Sequence, residues 1–520
     1  MLSKVYSASV IGIEGYIVTV EVDISPGMPV FSTVGLPDRA VSESKERVIS
    51  AIRNSGFDYQ HKKITVNLAP ADIKKEGGGF DLPIAIGILS AENIVKHELL
   101  SKYIIIGELA LDGTLRELKG ILPISLTIKK LISSKNYVEG IILPAANAYE
   151  SAVVDGIKVI PVTNLKEAIM FLNNEIVIEP YKVSKENIFS EQSEYEIDFN
   201  EVKGQEFAKR ALEIACAGGH NVIMIGPPGT GKSMLAKRIP TILPPLTFEE
   251  ALETTKIHSV AGLLPKTKSL LITRPFRAPH HTISNIALIG GGVYPKPGEV
   301  SLAHNGILFL DELPEFHRDA LEVLRQPLET HEVCISRANS TLTFPANFML
   351  VAAMNPCPCG YYGSNVRECN CNPFVIQKYM NKISGPLLDR IDIHLEVPSL
   401  KVSEITDDNN TGENSKTIRE RVINARKIQL ERFKNIIIQG RKIYTNSQMN
   451  SKLIRKYCKL NDTSKKLIKT AIERLGLSAR AYDRILKVAR TIADIENKTD
   501  IESQHISEAI QYRTIDRFVH

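Results

Sequence analysis

The feature that most constrains this chain is a glycine-rich loop between an apolar strand and a helix. The loop follows the apolar run NVIMI, and the helical stretch MLAKRI follows the loop. Glycines at this spacing let successive backbone N–H groups turn towards phosphates at a helix N-terminus. The last two loop residues are expected to reach the outer phosphates through the amine and to bind Mg²⁺ through the hydroxyl. The predicted nucleotide-binding residues are Gly226, Pro227, Pro228, Gly229, Thr230, Gly231, Lys232 and Ser233.

A second apolar run, ILFL at residues 307–310, ends in two acidic residues, Asp311 and Glu312. In parallel sheets, ligands bind at the carboxyl ends of the strands. We therefore expect Asp311 to hold Mg²⁺ beside the triphosphate and Glu312 to polarise the attacking water. The alternative is an Asp-Glu pair in an exposed turn. A water-activating Glu312 is what would distinguish a hydrolase from a protein that only binds nucleotide.

Three more residues are candidates for the same reaction. Asn355 follows a third apolar strand, which predicts an amide beside the water-activating glutamate. Arg390 is expected to stabilise transition-state charge on the nucleotide of the next subunit, although a salt bridge to Asp389 or Asp392 is an alternative. Arg480 begins a long C-terminal helix and is expected to close onto the γ-phosphate. Its alternative is a solvated arginine at a helix start.

With these elements in this order, the chain resembles AAA+ ATPases of the magnesium-chelatase and MCM branch, and among them the ComM/YifB family. Four further stretches carry the resemblance: RPFRAPHHT at 274–282, GGGVYPKPGEVSLAH at 290–304, NPCPCG at 355–360 and SGPLLDRID at 384–392. It implies that Arg390 is an arginine finger, that Arg480 is the second sensor, and that a hairpin between His280 and His304 contacts DNA or a partner. It also implies a hexameric ATP- and Mg²⁺-dependent ring. In ComM-like proteins this ring would act as a helicase or branch-migration motor on single-stranded or branched DNA taken up during natural transformation.

Residues 1–172 alternate β-branched runs with amphipathic stretches, which indicates a separate α+β domain. The segments KKEGGG at 74–79 and GELALDG at 107–113 are similar to the Lon-protease fold. Gly79 stands where that family has its nucleophilic serine, and the segment after Gly120 lacks the partner lysine. Because serine-lysine catalysis needs both groups, the resemblance implies a scaffold without protease activity.

The predicted organisation is therefore a Lon-like domain at 1–172, a polar linker at 173–200, an α/β AAA+ core with a parallel sheet at 201–400, and a helical lid at 401–520. The segment 402–416 is a polar connector at the start of the lid. Within the lid, the sequence SARAYDRILKVARTIADIE has apolar residues at helical spacing, which predicts a packed helix.

Four of the seven cysteines are crowded into the loop 357–371 as two C-x-C pairs separated by nine residues. Four thiolates in a short loop suit tetrahedral Zn²⁺, although each pair has one intervening residue instead of the usual two to four. Free thiols or a labile disulfide therefore remain alternatives. The candidate ligands are Cys357, Cys359, Cys369 and Cys371. The remaining cysteines, Cys216, Cys334 and Cys458, are expected to be buried.

Partner and location follow from charge and hydropathy. The net charge of +5 permits nucleic-acid contact without requiring it. Arg274, Arg277 and Lys296, with the basic helical stretches after residue 425, are candidates for phosphate-backbone contacts that depend on salt and not on base sequence. Adjacent His280 and His281 are expected to point apart and to serve polar networks. No apolar run approaches the roughly 20 residues that span a bilayer, and the odd cysteine count does not suit a disulfide framework, so a cytoplasmic protein without a membrane partner is expected.

Two other functions stay open. A chelatase-type remodeller would use ATP to drive a metal-binding partner and would show no stimulation by DNA. An ATP-dependent protease is disfavoured because Gly79 has no nucleophile.

Overall fold

A computed structural model describes most of the chain as two compact units, each with its own hydrophobic core. One unit comprises Met1–Gln192 and Phe248–Ile272, and the other comprises Ser193–Thr247 and Thr273–His520. The described residues are 1–59, 62–134, 137–183, 195–265, 269–292, 295–337, 340–364, 367–400, 412–438, 440–475 and 478–513.

The first unit has a four-stranded sheet in the order β1-β2-β4-β3, a parallel sheet in the order β5-β8-β9, and the short pair β6-β7. Every second residue of β2 from Val18 to Ile24 is buried, as expected for a strand with one face on the core. The strands are β1 Leu2–Ile11, β2 Glu14–Ser25, β3 Phe31–Val34, β4 Lys63–Ala69, β5 Tyr103–Ile105, β6 Glu108–Leu109, β7 Leu115–Arg116, β8 Gly140–Pro144 and β9 Lys158–Val162. The helices are α1 Arg39–Ser42, α2 Ser44–Asn54, α3 Asp81–Ala91, α4 Ile121–Ser133, α5 Ala148–Ser151 and α6 Leu165–Leu172.

One segment of the first unit lies far from the rest of it in sequence. Residues 248–272, which the sequence pattern counts with the ATPase core, contain helix α9, Phe248–Ala261, and this helix packs against α4. Lys256 Nζ lies 2.6 Å from Glu14 Oε1, and the Gly120 N–H donates to the Ser259 carbonyl at 3.3 Å. Ion pairing and backbone hydrogen bonding therefore fix this segment in the first unit, and the second unit resumes at Thr273.

The second unit is built on a five-stranded parallel sheet in the order β11-β14-β17-β10-β18. Every residue of β10, β14 and β17 is buried without alternation, which is the pattern of a sheet covered on both faces. The predicted parallel α/β core is confirmed. Its strands are β10 Val222–Ile225, β11 Phe276–Arg277, β14 Ile307–Leu310, β17 Met349–Met354 and β18 Ile393–Glu396, with hairpin strands β12 Gly290–Gly291, β13 Lys296–Pro297, β15 Glu332–Arg337, β16 Ser340–Pro345, β19 Ile437–Ile438 and β20 Arg441–Lys442.

Helices surround this sheet and form the C-terminal part of the second unit. Helix α19, Ala479–Ile495, buries the predicted apolar residues, including Ile485, Val488 and Ile492. Within the described ranges, none of the helices combines the length and the apolar character of a membrane span. The helices are α7 Glu206–Gly218, α8 Lys232–Ile242, α10 Asn285–Ile289, α11 Glu299–Leu302, α12 Arg318–Glu322, α13 Arg325–Thr330, α14 Pro373–Met380, α15 Gly385–Leu388, α16 Ser415–Phe433, α17 Ser451–Tyr457, α18 Asp462–Leu475, α19 Ala479–Ile495 and α20 Ser503–Gln511.

Candidate functional site

The glycine-rich loop connects the end of β10 to the start of α8, as its sequence predicts. Gly229 and Gly231 have φ angles of +77° and +86°, a region that residues with a side chain seldom adopt. No atom lies within 4 Å of a Cβ built at either position. The backbone conformation, and not crowding, therefore requires glycine, and it turns the loop around the N-terminus of α8.

Lys232, the first residue of α8, is buried with its amine directed back into the loop. Its Nζ lies 2.7 Å from the Gly226 carbonyl oxygen, 2.8 Å from that of Pro227 and 3.3 Å from Asn355 Oδ1. Burial lowers the pKa of Lys232 to about 8, although the charge of Asp311 opposes this shift. The amine is therefore surrounded by neutral oxygens and poorly compensated, which favours an anionic ligand at this position.

The predicted magnesium ligands lie together. The Ser233 hydroxyl donates to Asp311 Oδ2 at 2.5 Å, and Asp311 Oδ1 accepts the Glu312 N–H at 3.0 Å. Strand β17 lies between β10 and β14 in the sheet, so Asn355, which follows β17, is placed between the lysine and the acidic pair. Serine and carboxylate oxygens are ligands that Mg²⁺ accepts.

These residues line one cavity of about 540 Å³. That volume is within the range of pockets that hold a small ligand. The full lining is Pro228, Gly229, Lys232, Ser233, Asp311, Glu312, Glu315, Met354, Asn355, Pro358, Val375, Lys378, Tyr379 and Lys382.

Glu312 has an unusual backbone and a polar neighbour. Its φ and ψ are 53° and 47°, a left-handed conformation that is uncommon outside glycine and is found at functional sites. Its side chain is 61% exposed, and Oε2 lies 3.4 Å from His281 Nδ1. The rings of His280 and His281 have centroids 4.1 Å apart, so the expectation that they point apart is wrong, because a turn begins at His281. His281 thus joins a polar contact with Glu312.

Arg390 and Arg480 are not among the residues that line the cavity within the described part of the chain. The Arg390 guanidinium pairs with Glu329 and donates to the Pro386 carbonyl. A salt bridge therefore forms, but with a different acid from the Asp389 or Asp392 suggested by the sequence. Arg480 is 63% exposed, with Nη1 3.5 Å from Asp389 Oδ2.

One cavity wall is absent from the sequence prediction. Val375, Lys378 and Tyr379 on α14, with Lys382 just beyond it, face the same space as the glycine-rich loop. Burial raises the pKa of Tyr379 to about 12, so its hydroxyl stays protonated at neutral pH. Lys378 lies on the helix and Lys382 two residues after its end, and two lysines four residues apart are the sequence signal for a basic wall.

The four clustered cysteines converge although the chain between them includes residues 365–366, outside the described part. All four Sγ atoms lie within 4.8 Å of one another. The three measured separations are 3.3 Å for Cys357 to Cys359, 3.7 Å for Cys357 to Cys369, and 3.6 Å for Cys359 to Cys369. Of the remaining cysteines, Cys216 and Cys458 are buried as predicted.

Cys334 contradicts the prediction of burial. It is exposed on the hairpin strand β15, where side chains alternate between the two faces of a two-stranded sheet.

The basic candidates for nucleic-acid contact fall into two groups. Arg277 forms a two-point ion pair with Glu299 at 2.6 and 2.7 Å, and Arg274 donates to the Asn305 carbonyl at 2.7 Å. Because both guanidinium groups already bind acceptors within the chain, they are less available to bind DNA phosphates. Lys296 at the hairpin and Arg455 and Lys456 on α17 are exposed.

Three family models match the chain in consecutive segments. Residues 20–147 match the model described as subunit ChlI of Mg-chelatase, residues 198–405 match magnesium chelatase subunit ChlI, and residues 412–513 match the C-terminal part of that subunit. The cavity and the cysteine cluster both lie in the segment 198–405.

Full-length relatives extend the similarity. The chain is 45% identical to competence protein ComM of Haemophilus influenzae, covering 100% of this chain and 98% of that protein. It is 43% identical to the YifB protein of Escherichia coli over the same shares of both chains. Lon protease 2 of Bacillus subtilis is 32% identical over 154 residues, which are 27% of this chain and 26% of that protein.

Proposed function

Because the chain belongs to the ComM/YifB family of magnesium-chelatase-like AAA+ ATPases, we propose that it hydrolyses ATP with Mg²⁺ in the cavity beside the glycine-rich loop. The family implies both cofactors. The observation that carries the proposal is the meeting of Lys232, Ser233, Asp311 and Asn355 at one edge of a parallel sheet. A buried amine, a magnesium-binding pair and an amide are what phosphoryl transfer to water requires.

The chemical roles follow from these positions. The loop amides and Lys232 would bind the phosphates, and Ser233 and Asp311 would hold Mg²⁺, which polarises the phosphoryl group. Glu312 would orient and polarise the attacking water, with His281 fixing its carboxylate. Asn355 would hold its amide between Lys232 and the reacting phosphate.

We also propose a ring of identical subunits, hexameric by analogy with the family, because AAA+ proteins assemble as oligomers. In such a ring, Arg390 would act on the nucleotide of the next subunit, and Arg480 would close onto the γ-phosphate. In the single chain neither lines the cavity. The Arg390 pair with Glu329 would have to open for the guanidinium to reach a neighbouring subunit's nucleotide.

For the substrate of the motor we propose DNA, in single-stranded or branched form. The named function of ComM as a competence protein supports a role in handling incoming DNA. The exposed side chains of Lys296, Arg455 and Lys456 offer phosphate contacts that would be weakened by salt. Helicase or branch-migration activity would follow from ATP-driven movement of a ring along such a strand.

The first unit is proposed to be a Lon-like scaffold without protease activity. The partial similarity to Lon protease 2 supports the fold, and Gly79, in the short 3₁₀ turn Gly78–Phe80, has no side chain to act as a nucleophile. For the cysteine cluster we propose a structural zinc ion held by the four thiolates.

A chelatase-type remodeller is a second candidate, since all three matching family models describe a magnesium-chelatase subunit. One experiment separates the two functions: ATP turnover of the purified chain with and without forked DNA, at low and high salt. The DNA motor predicts stimulation that falls as salt rises and is reduced in Lys296→Ala. The exposed Lys166→Ala, in the first unit, is the matched control. Turnover that ignores DNA at both salt concentrations would contradict the DNA proposal and favour remodelling of a protein partner.

A further inference from the structure

The four cysteine sulfur atoms have the spacing of a metal-thiolate tetrahedron. A zinc ion with Zn–S bonds of about 2.3 Å places its sulfur ligands about 3.8 Å apart. The measured separations of 3.3, 3.7 and 3.6 Å among Cys357, Cys359 and Cys369 are close to that value. Disulfides would instead draw the sulfurs into pairs about 2.05 Å apart. The arrangement fits one shared ion better than two bonded pairs.

The first cysteine pair is built into one wall of the nucleotide cavity. Cys357 comes two residues after Asn355, whose amide contacts Lys232, and Pro358 between the two cysteines lines the cavity. The turn continues to Gly360, whose N–H donates to the Cys357 carbonyl at 2.9 Å. A Cβ at Gly360 would lie only 2.7 Å from Pro228 Cδ in the glycine-rich loop. The cysteine turn is therefore packed directly on the phosphate-binding loop.

The second pair leads into another part of the cavity lining. Cys371 is followed by Asn372, whose Oδ1 accepts the Val375 N–H at 2.9 Å and caps helix α14. Val375, Lys378 and Tyr379 of that helix line the cavity. A capping residue fixes where a helix begins and how it is oriented. An ion that holds Cys371 would therefore also hold the first turn of this wall.

Given the proposed ATPase and zinc site, we infer that the tetrathiolate centre acts as a staple across the nucleotide cavity. It fixes the turn that carries Asn355 and Pro358 to the helix that carries Lys378 and Tyr379, so that the cavity has its catalytic shape only while the metal is bound. Small displacements of groups that position a substrate cost large factors in rate, about 100-fold for 1 Å. Loss of zinc is thus expected to slow ATP hydrolysis without unfolding the chain.

The cluster is also accessible. Cys359, Cys369 and Cys371 are half-buried, so a chelator can reach their thiolates. The staple therefore makes ATP turnover sensitive to zinc removal.

The test uses the full-length chain purified without added metal. Zinc content is measured by mass spectrometry, and ATP turnover is measured with excess Mg²⁺ before and after treatment with a chelator selective for zinc over magnesium. We expect about one zinc per chain, a fall in kcat/KM of about 10- to 100-fold on its removal, and recovery when zinc alone is returned. Circular dichroism of the stripped protein checks that it stays folded.

Two variants complete the test. Cys369→Ser/Cys371→Ser is expected to lack zinc, to turn over ATP slowly and not to recover with added zinc. Cys334→Ser removes an exposed cysteine outside the cluster and is expected to behave as the unmodified chain. If zinc is present but its removal from the folded protein leaves kcat and KM unchanged, the staple is overturned and the metal site stands. If the active enzyme contains no zinc, the metal site is overturned as well. The ATPase assignment is independent of both results and fails only if the zinc-loaded chain does not hydrolyse ATP.

Discussion

Raising the pH through 8 is expected to weaken ATP binding because Lys232 loses its charge. Lys232 is 8% exposed, its amine donates to carbonyl and amide oxygens, and burial lowers its pKa to about 8 against the opposing charge of Asp311. A lysine whose pKa is lowered is charged below that pH and neutral above it. Only the charged amine attracts phosphates. The affinity of the free protein for Mg-ATP should therefore fall by about tenfold, or about 1.4 kcal/mol, for each pH unit above about 8.

The predicted fall of affinity with pH is tested by equilibrium binding of a fluorescent ATP analogue. Binding is measured from about pH 7 to about pH 9.5, on both sides of the pKa of Lys232. The Glu312→Gln background prevents turnover during the measurement. Lys232→Met should bind weakly at every pH, whereas Lys237→Met, an exposed lysine on the same helix, should keep both affinity and slope. Burial also lowers the pKa of Lys487 to about 8, although this residue does not line the cavity. Because its loss of charge could change the stability of the fold, the melting temperature is measured at each pH as a control. Affinity that stays constant to the highest pH would show that the charge of Lys232 does not control ATP binding.

Two further changes are predicted to have distinct effects. Asp392→Asn should lower the free energy of unfolding by about 3 kcal/mol in urea titrations, because it leaves half-buried Arg484 and buried His220 without their carboxylate partner. Burial alone would raise the pKa of Asp392, but Arg484 and His220 hold it below its usual range. The stabilisation is therefore present above about pH 4 and is lost as the pH falls further. If the free energy of unfolding fell equally steeply with acid in the variant, Asp392 would not be the source of this pH dependence. Gly360→Ala should raise the KM for ATP severalfold through its contact with Pro228, whereas Gly363→Ala, also at positive φ but with open space, should not; equal KM values would exclude the contact as the cause.

The half of the cavity that holds the proposed catalytic residues could be predicted because these residues follow recognisable strands. The loop before Lys232, the acidic pair after β14 and Asn355 after β17 all follow buried apolar runs. Parallel strands bring their carboxyl ends to one edge. Local sequence therefore specifies both the chemistry and the meeting point of these residues.

The other half depends on contacts between distant residues. Helix α14 becomes a cavity wall only through the fold of the cysteine loop, and Arg390 takes Glu329 as its partner across 61 residues. Helix α9 lacks a clear apolar stripe in its own sequence, so its packing on α4 could not be predicted from local pattern. The spacing of the cysteines likewise left zinc, free thiols and a labile disulfide open, and the convergence of the four sulfur atoms supports the zinc proposal.

We propose that Glu312 activates water against an ATP bound at the glycine-rich loop. The most direct test compares ATP binding and single-turnover hydrolysis by the unmodified chain and by Glu312→Gln, which keeps the size and exposure of the side chain. We predict unchanged Mg-ATP affinity and a rate of hydrolysis lower by about 100-fold or more in the variant. Hydrolysis at an equal rate in the two proteins would show that Glu312 does not activate the attacking water.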